Sequence, residues 1–334
     1  MRTAFFIILA TLLALMVTPS RGADTLPSQL SDAAYWKLIT DLSEPDGNYP
    51  HSVFTGNEPG YQYMLPQLTK AVAPGGAYLG VGPEQNFTYI AALRPKLAFI
   101  IDIRRDMMLQ HLMYKAIFEM TANRSDFVGI LFSRRRPERL TADSSVQDIF
   151  RTYAAIPSDA AFSEERLKEI LNRLKTTHRF GLSDNDERRI RFIYRLFARE
   201  GVVSFMSSQE SPGYTANMTA TDAQGRNWSY LASNENYNRL RAMHEKNLIV
   251  PLVGDFTGPK TVRMTGQYLR EHGAIVNVFY VSNVEDYIQA SWSGYARNIA
   301  SLPVDRSSLF IRWTISGNPP WLASISDFIG TNRR

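Results

Sequence analysis

Cysteine is absent from all 334 residues. That excludes disulfides, a thiol nucleophile and cysteine-ligated metals at once. A chain of this size must then rely on its hydrophobic core. Histidine is scarce too. His51, His111, His178, His244 and His272 include no His-x-x-x-His or His-x-His spacing, so a histidine-rich metal site has no support in the sequence. No Gly-x-Ser-x-Gly elbow occurs, although a Ser–His–Asp triad assembles in three dimensions and fixes no spacing. Arg134-Arg135-Arg136 is the only dense basic run, which argues against a nucleic-acid partner.

Long apolar runs are also missing, with one exception at the start. Ala4 to Val17 is apolar apart from Thr11, follows Arg2 and precedes Pro19-Ser20-Arg21-Gly22-Ala23. A bilayer span takes about 20 residues, so this run predicts a signal peptide over 1–22, cleaved after Gly22 or Ala23. The expectation is an exported protein, periplasmic or secreted, with no transmembrane segment after cleavage. Without Arg2 and Arg21, 35 basic residues face 32 acidic ones, a net charge of +3.

The rest of the chain alternates. Residues 23–76 read as a helical and loop segment, with an apolar pattern over 31–41 and a turn cluster at Glu44-Pro45-Asp46-Gly47-Asn48. Residues 77–139 give strands at 77–81, 97–103 and 126–132 around a helix over 104–120. Residues 140–245 read as a helical insertion or lid. One helix there spans 163–178; another starts with Asp184 and Glu187 at capping-box spacing and ends at Gly201. Residues 246–334 resume the alternation, with strands at 248–253, 274–281 and 307–313, the last strand expected, and a helix over 259–272. The predicted fold is α/β, a doubly wound and mostly parallel sheet with a largely helical insertion.

The stretch Gly80-Val81-Gly82-Pro83-Glu84-Gln85-Asn86 sits where the first strand turns into its helix, and Asp102 ends the second strand 20 residues after Gly82. Glycines let a backbone approach a ligand, the helix start offers free N–H groups, and a carboxylate at Asp102 can accept from both ribose hydroxyls. Gln85 stands where a third glycine would complete a dinucleotide fingerprint, which disfavours an NAD-type site. Ordinary turn glycines, with Asp102 capping the following helix, are the alternative.

These segments resemble the first two strands of class I S-adenosylmethionine-dependent methyltransferases. With LIVPLVGDF and FYVSNVEDYI added, they resemble an uncharacterised bacterial family with a methyltransferase-like fold, across most of 43–313. The resemblance implies that Gly80, Gly82 and Glu84 belong to a cofactor loop, that Asp102 holds the ribose, and that S-adenosylmethionine is the cofactor; Gln85 and Asn86 add polar groups at the same edge and are candidate cofactor contacts too. An acidic residue just before Gly80 and an Asn-Pro-Pro-Tyr-type motif are missing.

Asp255 follows the 248–253 strand, expected as a fourth strand beside the first, so it could face the same crevice; with Glu84 it is a candidate for accepting a proton from the methyl acceptor. Tyr280, Ser282, Asn283 and Glu285 follow the next strand. The pairs Asn57–Glu58 and Asn234–Glu235 are loop groups that could close over a ligand, and Tyr49, Tyr61 and Tyr230 are candidate stacking surfaces. Two functions follow as expectations: an exported methyltransferase acting on an unknown acceptor, or a non-catalytic protein binding a small molecule or envelope ligand on the same scaffold.

Overall fold

The computed structural model describes residues 23–49, 51, 53–206, 212–315 and 319–332; the expected signal peptide lies outside them. Its centre is a six-stranded mixed sheet in the order β3-β2-β1-β4-β5-β6. The strands are β1 (Ala77–Gly80), β2 (Leu97–Asp102), β3 (Ile249–Val253), β4 (Val276–Ser282), β5 (Leu309–Arg312) and β6 (Trp321–Ser324). All neighbours run parallel except β5 and β6. β1, β2 and β3 are buried along their whole length, which explains why they read as continuous apolar runs and not as alternating ones.

Fourteen α-helices are present among the described residues. Before the sheet come α1 (Asp32–Leu42) and α2 (Leu65–Ala71); α3 (Gln85–Leu93) joins β1 to β2. Between β2 and β3 run α4 (Arg105–Met120), α5 (Arg124–Leu131), α6 (Val146–Ala154), α7 (Ala160–Asn172), α8 (Asp184–Ser204), α9 (Gly213–Thr219) and α10 (Asn234–Glu245). Then α11 (Thr261–Glu271) leads to β4, α12 (Val284–Tyr287) and α13 (Trp292–Ala300) lead to β5, and α14 (Ile325–Thr331) closes the described chain.

Three expectations are corrected. The third strand predicted at 126–132 is the helix α5. Its N-cap Asn123 accepts the Asp126 N–H at 2.9 Å, and Phe127, Val128, Gly129, Ile130 and Leu131 are all buried. A short apolar run carries no period that separates a buried helix from a buried strand. Residues 249–253 therefore form the third strand, beside β2, and 276–282 the fourth, beside β1. The capping box of α8 starts one residue earlier than predicted: Ser183 accepts from Asp186 N at 3.2 Å, and Asp186 accepts from Ser183 N at 3.0 Å. The third concerns the chain's end. It adds an antiparallel strand, β6, whose four residues showed no alternation to read.

The insertion packs α8 and α10 onto α4. α4 is buried on nearly every side, from Met107 to Phe118, because the sheet takes one face and the insertion the other. No helix among the described residues is long and apolar enough to cross a membrane.

Candidate functional site

The strand order reverses between β1 and β4. From β1 the chain winds one way through β2 to β3, and from β4 the other way to β5 and β6. In open α/β sheets the crevice at such a switch, beyond the carboxyl ends of the strands, is where ligands bind. A cleft of about 410 Å³ opens there. Its floor carries Val81 and Gly82 after β1, Asp102 and Ile103 after β2, Asp255 and Phe256 after β3, and Tyr280, Ser282 and Asn283 at the end of β4. Two groups make the walls: Asn48, Tyr49, Val53, Gly56 and Asn57, ahead of the sheet, and residues within 283–291, around α12. None of the described residues of 140–245 lines the cleft, and the insertion's helices α8 and α10 back α4.

The glycine loop is built from beneath. Asn86 Nδ2 donates to the carbonyls of Val81, Gly82 and Pro83 at 2.8, 3.2 and 2.7 Å, while its Oδ1 accepts from Tyr78 Oη at 2.8 Å. His111 Nε2 lies 2.9 Å from the Gly82 carbonyl. Burial pushes that imidazole down to about 4, so it is neutral and donates to the carbonyl. Gly82 has φ +78 and open space where a Cβ would stand. Gly80 is glycine for another reason: a Cβ there would lie 1.9 Å from Asn86 Oδ1.

Asp102 is buried yet on the cleft lining. Its Oδ1 accepts the Arg104 N–H at 2.9 Å, and Arg104 Nε lies 3.5 Å away. Burial raises its pKa, opposed by Arg104 and by a backbone N–H of Gly82. The expected alternative, a cap on the following helix, is only partly realised: α4 begins at Arg105, whose N–H goes to Asp46 Oδ1 at 2.7 Å. Arg104 donates to the carbonyls of His51 and Val53 at 3.3 and 2.8 Å, pinning one wall.

Asp255 lines the cleft at the end of β3, two strands from β1 and not beside it. Its Oδ1 accepts from the Thr257 N–H at 2.7 Å and hydroxyl at 2.9 Å. Glu44 holds this turn from the other side, accepting from Asp255 N, Lys260 N and Thr261 N at 2.9, 2.8 and 3.0 Å.

Glu84, Gln85 and Asn86 are fully or almost fully buried, and none of them lines the cleft. Glu84 accepts from Thr55 Oγ1 at 2.5 Å and Gly56 N at 3.2 Å, fastening the 53–57 wall; burial pushes it up to about 7. Gln85 Nε2 donates to Glu58 at 2.9 Å and to the hydroxyls of Tyr89 and Tyr280 at 2.8 and 3.2 Å.

The loop pairs separate. Asn57 lines the cleft and Glu58 lies buried below it, whereas Asn234 and Glu235 open α10 and pair with Arg124 and with Arg94 and Arg239. Tyr49 lines the cleft, its ring edge-on to Tyr287 at 5.4 Å; Tyr61 and Tyr230 are in the core. Glu285 pairs with Arg312 at 3.0 Å. Sequence reasoning missed His111, Thr55 and Glu44. Each acts through a contact tens or hundreds of residues away, which no local motif signals.

A family model described as a domain of unknown function (DUF7790) matches residues 53–328, the sheet and the insertion together. No curated protein matches the chain.

Proposed function

The chain belongs to that family, whose description names no activity, and we propose that it is an exported, methyltransferase-like protein that binds S-adenosylmethionine in the cleft between β1 and β4. One observation carries the reading: Gly82 and Asp102 face a single cleft at the point where the strand order reverses.

The residues present fit an adenosyl ligand. A carboxylate offers about four lone-pair sites, so Asp102 keeps acceptor capacity for ribose hydroxyls beyond its backbone donors. Gly82 leaves room for the methionine part to pass close to the main chain. Tyr49, Ile103, Tyr287 and Ile288 give the flat apolar walls that a purine needs. When bound, the cofactor supplies an electrophilic methyl group. The chain supplies alignment: Asn57, Ser282 and Asn283 offer polar contacts at the β4 end, and Asp255 is the cleft-facing carboxylate able to take a proton from an acceptor. Glu84 serves as a positioning residue, since its carboxyl reaches the wall and not the cleft.

Binding without chemistry is the second reading. It is favoured because Asp255 already commits Oδ1 to the Thr257 turn. Calorimetric titration of the chain from Ala23 with S-adenosylmethionine and S-adenosylhomocysteine tests both. Micromolar binding that Asp102→Ala weakens by tenfold or more is expected. Binding unchanged by Asp102→Ala sinks the ribose role, and no heat from either ligand sinks the adenosyl reading. Export is tested by fusing residues 1–30 to a reporter active only after secretion; an inactive, cytoplasmic fusion removes that part of the proposal.

A further inference from the structure

The floor of the cleft holds a second arrangement, built on Glu58, a carboxylate that the adenosyl reading does not use. Glu58 is completely buried and forms no ion pair among the described residues. Its Oε1 accepts from Ser282 Oγ at 2.5 Å and from Tyr280 Oη at 2.6 Å, and Oε2 accepts from Gln85 Nε2 at 2.9 Å. Gln85 in turn donates to Tyr280 Oη at 3.2 Å, so both carboxylate oxygens are held in place.

Ser282 is the last residue of β4 and lines the cleft. It has φ +52, the left-handed region that a serine seldom enters. The β4–β5 register shifts between Tyr280 and Ser282, a bulge that re-aims the side chain at the strand's end. A strained serine on a cleft, bonded to a carboxylate that is itself oriented, satisfies the geometric test for an activated nucleophile.

We propose that Ser282 is a nucleophile, with Glu58 as its general base, acting on a carboxylic ester held against the β4 end of the cleft. Ser282 Oγ bonds to the carbonyl carbon and its proton passes to Glu58 Oε1. The carbonyl electron pair moves to oxygen, then returns as the bond to the alkoxy group breaks, and that group leaves as an alcohol with the proton from Glu58. Water repeats the sequence on the acyl-serine, giving the carboxylic acid and restoring the hydroxyl. Asn57 and Asn283 line the same cleft and carry amide donors for the developing oxyanion.

Glu58 is the base because burial lifts its pKa above the ordinary carboxylate range, where it holds a proton more firmly. The titratable groups that face it are Tyr78 from β1, Tyr89 from α3 and Tyr280 from β4. Burial pushes all three up, so they stay neutral while Glu58 titrates.

The experiment treats the full chain with a fluorophosphonate, which phosphonylates an activated serine with loss of fluoride, and maps the adduct by mass spectrometry. The adduct is expected on Ser282 and absent from Ser282→Ala. Glu58→Gln should slow labelling by about a hundredfold. That variant can stay folded, because its new amide can meet the unpartnered Gln85 Oε1 once that side chain turns over; circular dichroism checks this. The wild-type labelling rate should rise with pH through a midpoint above the usual carboxylate range, and the profile of Glu58→Gln should be flat. No Ser282 adduct on the folded protein, or an unchanged rate in folded Glu58→Gln, overturns the proposal. Adenosyl binding is a separate readout: labelling without it upholds this inference and removes only the earlier one.

Discussion

Single residues set the site through contacts that cross the whole chain. Glu84 shows how. It starts the turn of α3, yet its partners are Thr55 and Gly56. Burial raises its pKa from the ordinary value to about 7. The folded state therefore binds the proton more tightly than the unfolded chain. The associated stability is fully present below about pH 4.5 and is lost as pH rises through about 7. A shift of this size corresponds to about 3 kcal/mol. Glu84→Gln keeps an acceptor for Thr55 and cannot ionise. Its thermal midpoint relative to wild type should climb between pH 5 and 7.5, and equal slopes for the two proteins would refute the assignment. The same residues show what a sequence can and cannot disclose. Gly82 and Asp102 were legible because strand ends and glycines are local signals, and both line the cleft. Gln85 and Asn86 stand close to Gly82 in sequence but turn inward, since α3 is buried on nearly every side and not on one face.

At the scale of elements, those with a period or a length of their own are legible in the sequence. The spacing of Met108, Leu109, Leu112, Met113, Ala116 and Ile117 gave α4 over almost its full span. The run Asp126 to Phe132 had neither, and taking it as a strand displaced every later strand by one place. That error put Asp255 next to β1, whereas β2 stands between them. What makes the segment a helix is its cap: Asn123 accepts the Asp126 N–H, and Asn123 Nδ2 also donates to Asp126 Oδ2 at 2.6 Å. Removing such a cap costs about 1 kcal/mol. Asn123→Ala should lower the free energy of denaturant unfolding by about that amount without changing its slope. An unaffected midpoint would mean that burial alone holds α5.

At the scale of the molecule, a charged network ties α4 to its neighbours, and none of its members lines the cleft. Lys115 is almost wholly buried; its Nζ donates to Glu119 and to the His244 carbonyl, both at 2.6 Å. Glu119 also meets His178 at 2.7 Å and Arg173 at 3.4 Å, and His178 Nδ1 lies 2.9 Å from Asp32. The N-terminal helix α1, the central helix α4 and the insertion are thereby bound in one polar cluster, which argues against an insertion that swings as a lid. Burial alone would lower the His178 pKa, but hydrogen bonds to Glu119 and Asp32 outweigh it and raise the value. Stability from this histidine is fully present below its unfolded value of about 6.5 and is lost as pH rises through the higher folded value. The two windows overlap just above pH 6.5, but only Glu84 of the pair acts below it. His178→Gln should lessen the fall in stability above pH 6.5 and leave the fall between 4.5 and 6.5 in place, while Glu84→Gln should lessen the fall between 4.5 and 6.5 and keep the part due to His178 above it. Unfolding should remain a single transition in both variants, read by circular dichroism and by tryptophan fluorescence together. Two transitions in His178→Gln, with the insertion melting first, would show that the network alone makes the molecule cooperative and that packing on α4 does not.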